Sequence, residues 1–143
     1  MIDCLIMGDS IAVGTHMVKQ ECVAYAKGGI NSKQWVDKNI GKSPYIAKTV
    51  IISLGSNDHK YVKTEEELRT IRQLTEADRV YWIQPAIKPD IQEIVKKVAA
   101  EYGDVVLPIN RLQPDGIHPS WAGYKEIEQN ESSTNCSRKI QQW

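Results

Sequence analysis

Thr49-Val50-Ile51-Ile52-Ser53-Leu54 runs without a charge into Gly55-Ser56-Asn57-Asp58. The first six residues are β-branched or aliphatic and stop at a glycine, which predicts a strand. Their nearly continuous apolar character predicts a strand buried on both faces. Such a strand belongs in a parallel sheet with helices on either side.

The flanking sequence agrees with that reading. Ile2 to Met7 reads as a first strand, broken by Gly8-Asp9-Ser10, and Ile11 to Gln20 as a first helix. Cys22 to Ala26 reads as a second strand ended by Gly28-Gly29, and Asn31 to Lys38 as a short helix. Thr64 to Glu67 spells a capping box, followed by Leu68, Ile71 and Leu74 at the spacing of a half-buried helix. Arg79 to Gln84 is a fourth strand. Pro89 opens a helix with Ile91, Ile94, Val95 and Val98 on one face. Val105 to Leu107 is a short fifth strand, and Pro119 to Gln129 a last helix carrying Trp121, Tyr124 and Ile127 as an inward stripe. Strands alternating with helices predict a three-layer α/β/α domain with right-handed crossovers. Five such strands suit the flavodoxin-like order 2-1-3-4-5. The expected domain is 1–129. The polar segment 130–143 reads as a tail expected to fray, with Ile140 and Trp143 its only candidates for docking.

Composition narrows the function. The chain has 143 residues, 41% of them hydrophobic and 25% charged, enough for one core. Lys plus Arg and Asp plus Glu both number 18, so no basic field exists to gather nucleic acid or an anionic membrane. No apolar run is long enough for a signal peptide or a membrane span, and a cytoplasmic protein is expected. Cys4, Cys22 and Cys136 form no CxxC pair. Their odd count reads as a poor disulfide framework and a poor zinc site, with Cys4 and Cys22 as buried thiols. No metal and no organic cofactor is expected.

Reactive groups in an open parallel sheet gather beyond the carboxyl ends of its strands. Four loops lie there: Gly8-Asp9-Ser10, Lys27-Gly28-Gly29, Gly55-Ser56-Asn57-Asp58 and Asp115-Gly116-Ile117-His118-Pro119. Alone, each has an ordinary reading. Ser10 and Asp9 would cap a helix, Asn57-Asp58 and Asp115-Gly116 would make turns. Together they supply a hydroxyl, an imidazole, a carboxylate and amide donors, the equipment of acyl transfer. His16 belongs to none of these loops and reads as structural. His59 follows one of them and is a candidate for the cleft wall.

In their order and spacing the four loops resemble the sequence blocks of the SGNH, or GDSL-type, hydrolase family, with Ile11 in place of the usual Leu. The resemblance runs from residue 8 to 119. It implies a serine esterase with Ser10 as nucleophile, His118 as its base and Asp115 orienting the imidazole. Chemistry supports each role. The N-terminus of a helix favours a developing alkoxide at Ser10. A carboxylate three residues before His118 reaches its ring through a tight turn. The oxyanion would be met by the N–H groups of Ser10 and Gly29 and by the Asn57 amide. Gly29 has no Cβ to obstruct a carbonyl oxygen, though the adjacent Gly28 leaves this assignment open by one residue. The expected substrate is a small-molecule or carbohydrate ester with a short acyl group, O-acetylated carbohydrate included. Alternatives are a thioesterase or lysophospholipase, and a catalytically silent binding module. A flavodoxin-like nucleotide binder is excluded, because Gly8-Asp9-Ser10-Ile11 lacks a glycine-rich cradle and a lysine.

Overall fold

The computed structural model describes residues 2–141, with side chains as far as Ser133. Trp143, and the side chains of Cys136 and Ile140, lie outside the described residues. The elements follow in the order β1 (Ile2–Gly8), α1 (Ser10–Val18), β2 (Val23–Ala26), α2 (Ser32–Asn39), β3 (Tyr45–Ser53), α3 (Thr64–Gln73), β4 (Thr75–Ile83), α4 (Pro89–Tyr102), β5 (Val105–Leu107) and α5 (Trp121–Gln141). The five strands form one sheet in the order β2-β1-β3-β4-β5, every neighbouring pair parallel. The predicted architecture and strand order are both observed.

Two cores cover the sheet. On one face Leu5, Met7, Val50 and Ile52 pack against Trp35 of α2, Leu68 and Ile71 of α3, and Val95 and Val98 of α4. On the other face Ile6, Ile51, Tyr81 and Ile83 pack against Ile11 and Ala12 of α1 and Tyr124 and Ile127 of α5. The pleat sends successive residues of β1 to opposite faces, which is why its end is apolar throughout. That double burial fixes the edge of the sheet on which the four loops emerge.

The structure corrects the sequence reading at several points. First, β3 begins at Tyr45, four residues earlier than its apolar run. Its first half alternates buried and exposed residues, so Ile46 and Lys48 face outward. Second, the capping box at Thr64 does not form. Thr64 is already inside α3, and its hydroxyl donates to the buried Asp58 Oδ2 at 2.7 Å, a tertiary contact that outcompetes the local one. The box forms instead at Asn31 and Gln34, at the start of α2.

Third, Cys4 and Cys22 are not thiols but a disulfide, with Cα atoms 4.8 Å apart. The pairing Leu5↔Val23 sets Cys4 beside Cys22, and that register is invisible in a cysteine count. Disulfides persist in oxidising compartments and are rare in the cytosol. Fourth, α5 continues to Gln141 and does not stop at Gln129. Glu131 explains the extension on its described side. Its side chain is buried and meets Lys19 at 3.3 Å, so α5 past Gln129 is anchored at the end of α1. Among the described residues no helix is long and apolar enough to cross a membrane.

Candidate active site

The end of β1 sets the geometry. Gly8 has φ +145, and a Cβ there would stand 1.8 Å from the Ser53 carbonyl oxygen, so only glycine lets β1 and β3 run this close. The Asp9 N–H then donates to that same oxygen at 3.0 Å. Asp9 caps α1. Its Oδ1 accepts from the Ile11 N–H at 3.0 Å and from the Ser53 hydroxyl at 3.2 Å. Asp9 is fully buried, and its Oδ2 has no hydrogen-bond partner. Burial pushes its carboxyl up from the usual 3.8 to about 6.

Ser10 is the first residue of α1, and helix geometry leaves its N–H outside the intrahelical ladder. Its Oγ lies 2.7 Å from His118 Nε2. His118 Nδ1 lies 2.7 Å from Asp115 Oδ2. A carboxylate only accepts, so Nδ1 carries the hydrogen and the neutral ring offers Nε2 to the serine hydroxyl. Asp115 Oδ1 accepts from the Ile117 N–H at 2.9 Å and the His118 N–H at 3.0 Å. These bonds, the Ile117 N–H first and then the His118 ring, hold the Asp115 carboxyl down at about 2. It is therefore ionised at neutral pH. The turn is closed by Gln113, whose N–H donates to the His118 carbonyl at 2.8 Å and whose side-chain amide donates to the Pro119 carbonyl at 3.0 Å. His118 and Asp115 stay partly open, their side chains 34% and 41% exposed.

The remaining expected residues come from the second and third loops. Gly28 is the nearer glycine, since a Cβ on it would stand 3.9 Å from Ser10 Cβ. Gly29 has φ +78, and a Cβ on it would meet nothing within 4 Å. The Asn57 Nδ2 donates to the Ile30 carbonyl at 3.0 Å. An amide nitrogen carries two hydrogens, so one N–H ties the third loop to the second and one is left over. A hollow of about 400 Å³ opens here, walled by Lys27, Gly28, Gly29, Ile30, Gln34 and Lys38.

Two residues that the sequence reading passed over hold these loops. Asp58 is buried, accepting from the Ser32 N–H at 2.8 Å as well as from Thr64, and so joins the third loop to α2 and α3. Lys88 donates to the carbonyls of Ser56 at 2.8 Å and Asp58 at 2.7 Å from a left-handed backbone, φ 63. Their only sequence signals are an aspartate after Asn57 and a lysine before Pro89. His59 is exposed and stacks edge-on with Tyr61. His16 bonds the Cys22 carbonyl at 2.9 Å, a structural contact. Trp121 corrects its expected place in the core: it is 55% exposed. Its neighbours Tyr124 and Ile127 complete the inward stripe, while Trp121, in the first turn, overhangs the groove beside Ser10. Among the described residues no group of His, Cys, Asp and Glu is placed to hold a metal.

Comparison with known proteins gives the fold its relatives. No protein-family model and no curated protein sequence matches the chain. Solved structures do. A GDSL-like lipase of Bacteroides thetaiotaomicron superposes with a TM-score of 0.67 at 17% identity, over 96% of this chain and 88% of that one. The C-terminal catalytic domain of peptidoglycan O-acetyltransferase A of Streptococcus pneumoniae, solved with a methylsulfonyl adduct, superposes with a TM-score of 0.59 at 16% identity. It covers 97% of this chain and 95% of that domain. The protein shares the fold of these acyl-handling enzymes over nearly its whole length.

Proposed function

We propose that the protein is a serine esterase of the SGNH, GDSL type, cleaving short-acyl carboxylic esters through an acyl-enzyme at Ser10. The observation that carries this reading is the unbroken hydrogen-bond chain from Ser10 through His118 to Asp115. In the reaction His118 Nε2 takes the Ser10 proton as Oγ attacks the carbonyl carbon. The oxyanion is met by the N–H groups of Ser10 and Gly29 and by the free N–H of Asn57. His118 returns the proton to the departing alcohol, and water repeats the sequence to release the acid. Asp115, ionised, holds the imidazole in the required tautomer and stabilises the imidazolium.

A short acyl group is favoured by the hollow beyond the glycines. Its lysines and Gln34 make a poor lining for a long hydrocarbon chain. This speaks against the lysophospholipase alternative. The GDSL-like lipase and the O-acetyltransferase domain are relatives in fold, and their acyl chemistry agrees with the reading without fixing the substrate. The test is hydrolysis of small acetyl esters by the purified protein, with covalent labelling by a fluorophosphonate. Ser10→Ala and His118→Ala are each expected to lose turnover, and the probe to label Ser10. Labelling elsewhere, or full turnover by either variant, overturns the assignment. A folded parent that neither turns over nor reacts is the silent module.

A further inference from the structure

The groove between α1 and α5 touches Ser10 and has no role in the scheme above. It is open, about 380 Å³ in volume. The residues of α1 that line it are Ser10, Val13, Gly14 and Met17, one helical stripe at i, i+3, i+4 and i+7. From the other side come Gln113 and, at the start of α5, Trp121 and Tyr124. Val13 is 39% exposed, Met17 56% and Trp121 55%, three large apolar side chains spread around the nucleophile. Gly14 makes the floor possible: a Cβ there would stand 2.1 Å from Tyr124 Cζ, so its absence lets α5 close on α1. The Lys125 ammonium lies 5.5 Å from the Trp121 ring centre and steadies the indole.

We infer that this groove binds the alcohol half of the ester, and that this alcohol is apolar. The inference rests on the proposed esterase reading and extends it to the substrate class. Its first support is the geometry of the tetrahedral intermediate. The attacked carbon carries Ser10 Oγ, the oxyanion, the acyl group and the leaving oxygen. The leaving oxygen must lie at His118 Nε2 to receive its proton. The groove opens on that side, for its second wall is built by Gln113, bonded to the His118 carbonyl, and by the residues that follow His118. The cationic hollow beside Gly28 and Gly29 is a separate one, sharing no lining residue with the groove.

The second support is the chemistry of the lining. A carbohydrate would bring several hydroxyls into a groove whose lining offers them little beyond the Gln113 amide, one N–H of which is already given to Pro119, and the Ser10 and Tyr124 hydroxyls. Val13, Met17 and Trp121 reward hydrocarbon instead. The stripe from Ser10 to Met17 spans about 10 Å at a rise of about 1.5 Å per residue, room for an alkyl chain of about six to eight carbons or an aryl group. The preferred substrate is therefore a short-acyl ester of an apolar alcohol.

Two matched ester series test this: ethyl, butyl and hexyl acetate, against ethyl acetate, butyrate and hexanoate. For the wild type kcat/KM is expected to rise about tenfold from ethyl to hexyl acetate, mostly through KM, because the added contacts are made equally in the ground and transition states. It should fall along the acyl series. Trp121→Ala combined with Met17→Ser is expected to abolish the rise, so that hexyl acetate is turned over no faster than ethyl acetate. A rise along the acyl series, no rise with the alcohol, or faster turnover of an O-acetylated sugar than of hexyl acetate overturns the inference and leaves the esterase reading standing. Binding separates the two readings further. In Ser10→Ala, hexyl acetate should shift the Met17 methyl and Trp121 indole resonances. Those shifts without wild-type turnover would keep the groove and remove the esterase. Turnover without the shifts would do the reverse.

Discussion

Asp9→Asn isolates one charge in the fold. Asp9 is fully buried, with one oxygen bonded to the Ile11 N–H and the Ser53 hydroxyl and the other unpartnered. Its carboxyl is pushed from 3.8 to about 6 by loss of solvent. Between those two values the folded protein binds a proton that the unfolded chain does not. Stability is therefore fully present below pH 3.8 and is lost as pH rises through about 6. The gap corresponds to about 3 kcal/mol, a large part of a domain's net stability. Asparagine keeps the accepting oxygen and cannot ionise. Its amide NH2 replaces an unpartnered oxygen and so adds a penalty, but one that is the same at every pH. Urea unfolding of both proteins from pH 4 to pH 8 gives the difference, in which the other titrating groups cancel. The variant is expected to gain about 2.5 kcal/mol on the wild type across that range, because a little of the effect is already spent at pH 4. A difference that stays constant with pH, or moves the other way, refutes the argument that the charge is desolvated.

Other expectations follow from single contacts. Asn57→Ala should lower kcat by ~10²–10³ with a smaller change in KM, and a pure KM effect would mean that Asn57 binds substrate only. Replacing both Cys4 and Cys22 by serine opens a cross-link between residues 18 apart and should cost about 3 kcal/mol, read by thermal unfolding; unchanged stability would mean that the pair is not bonded. Gly8→Ala and Gly29→Ala should part company. The first drives a methyl into the Ser53 carbonyl and should yield no folded protein by near-UV circular dichroism. The second meets nothing within 4 Å and should cost only the strain of its left-handed φ, about 1–2 kcal/mol. Equal losses would contradict the contact geometry.

The fold was legible because the buried ends of β1, β3 and β4 are uncharged runs, and because loop residues punctuate them. That Ser10, His118 and Asp115 meet was legible because two of the four loops at one sheet edge carry them. What escaped depends on register and on the third dimension. The disulfide requires knowing that Leu5 lies opposite Val23. Thr64 looks like a cap until Asp58, six residues away, is seen to take its hydroxyl. Lys88 is an unremarkable lysine in a sequence, and its work on the Ser56 and Asp58 carbonyls appears only when the loops are brought together. Trp121 falls on the same helical stripe as Tyr124 and Ile127, yet it sits in the first turn of α5, where the groove has opened and no layer covers it.

The bond between Ser10 and His118 spans 108 positions of chain. Pairings of such long range form late, after nearer contacts have reduced the cost of closing the loop. During synthesis Ser10, the glycines and Asn57 all leave the ribosome well before the base. On the proposed mechanism, a nascent chain that ends before Gln113 holds the hydroxyl and the oxyanion donors but has nothing to accept the proton. If Ser10 is the nucleophile proposed, its reactivity toward an acylating probe counts only molecules in which the His118 loop has docked. It provides a clock for the completion of folding that spectroscopic measures of helix and strand, satisfied earlier, would run ahead of.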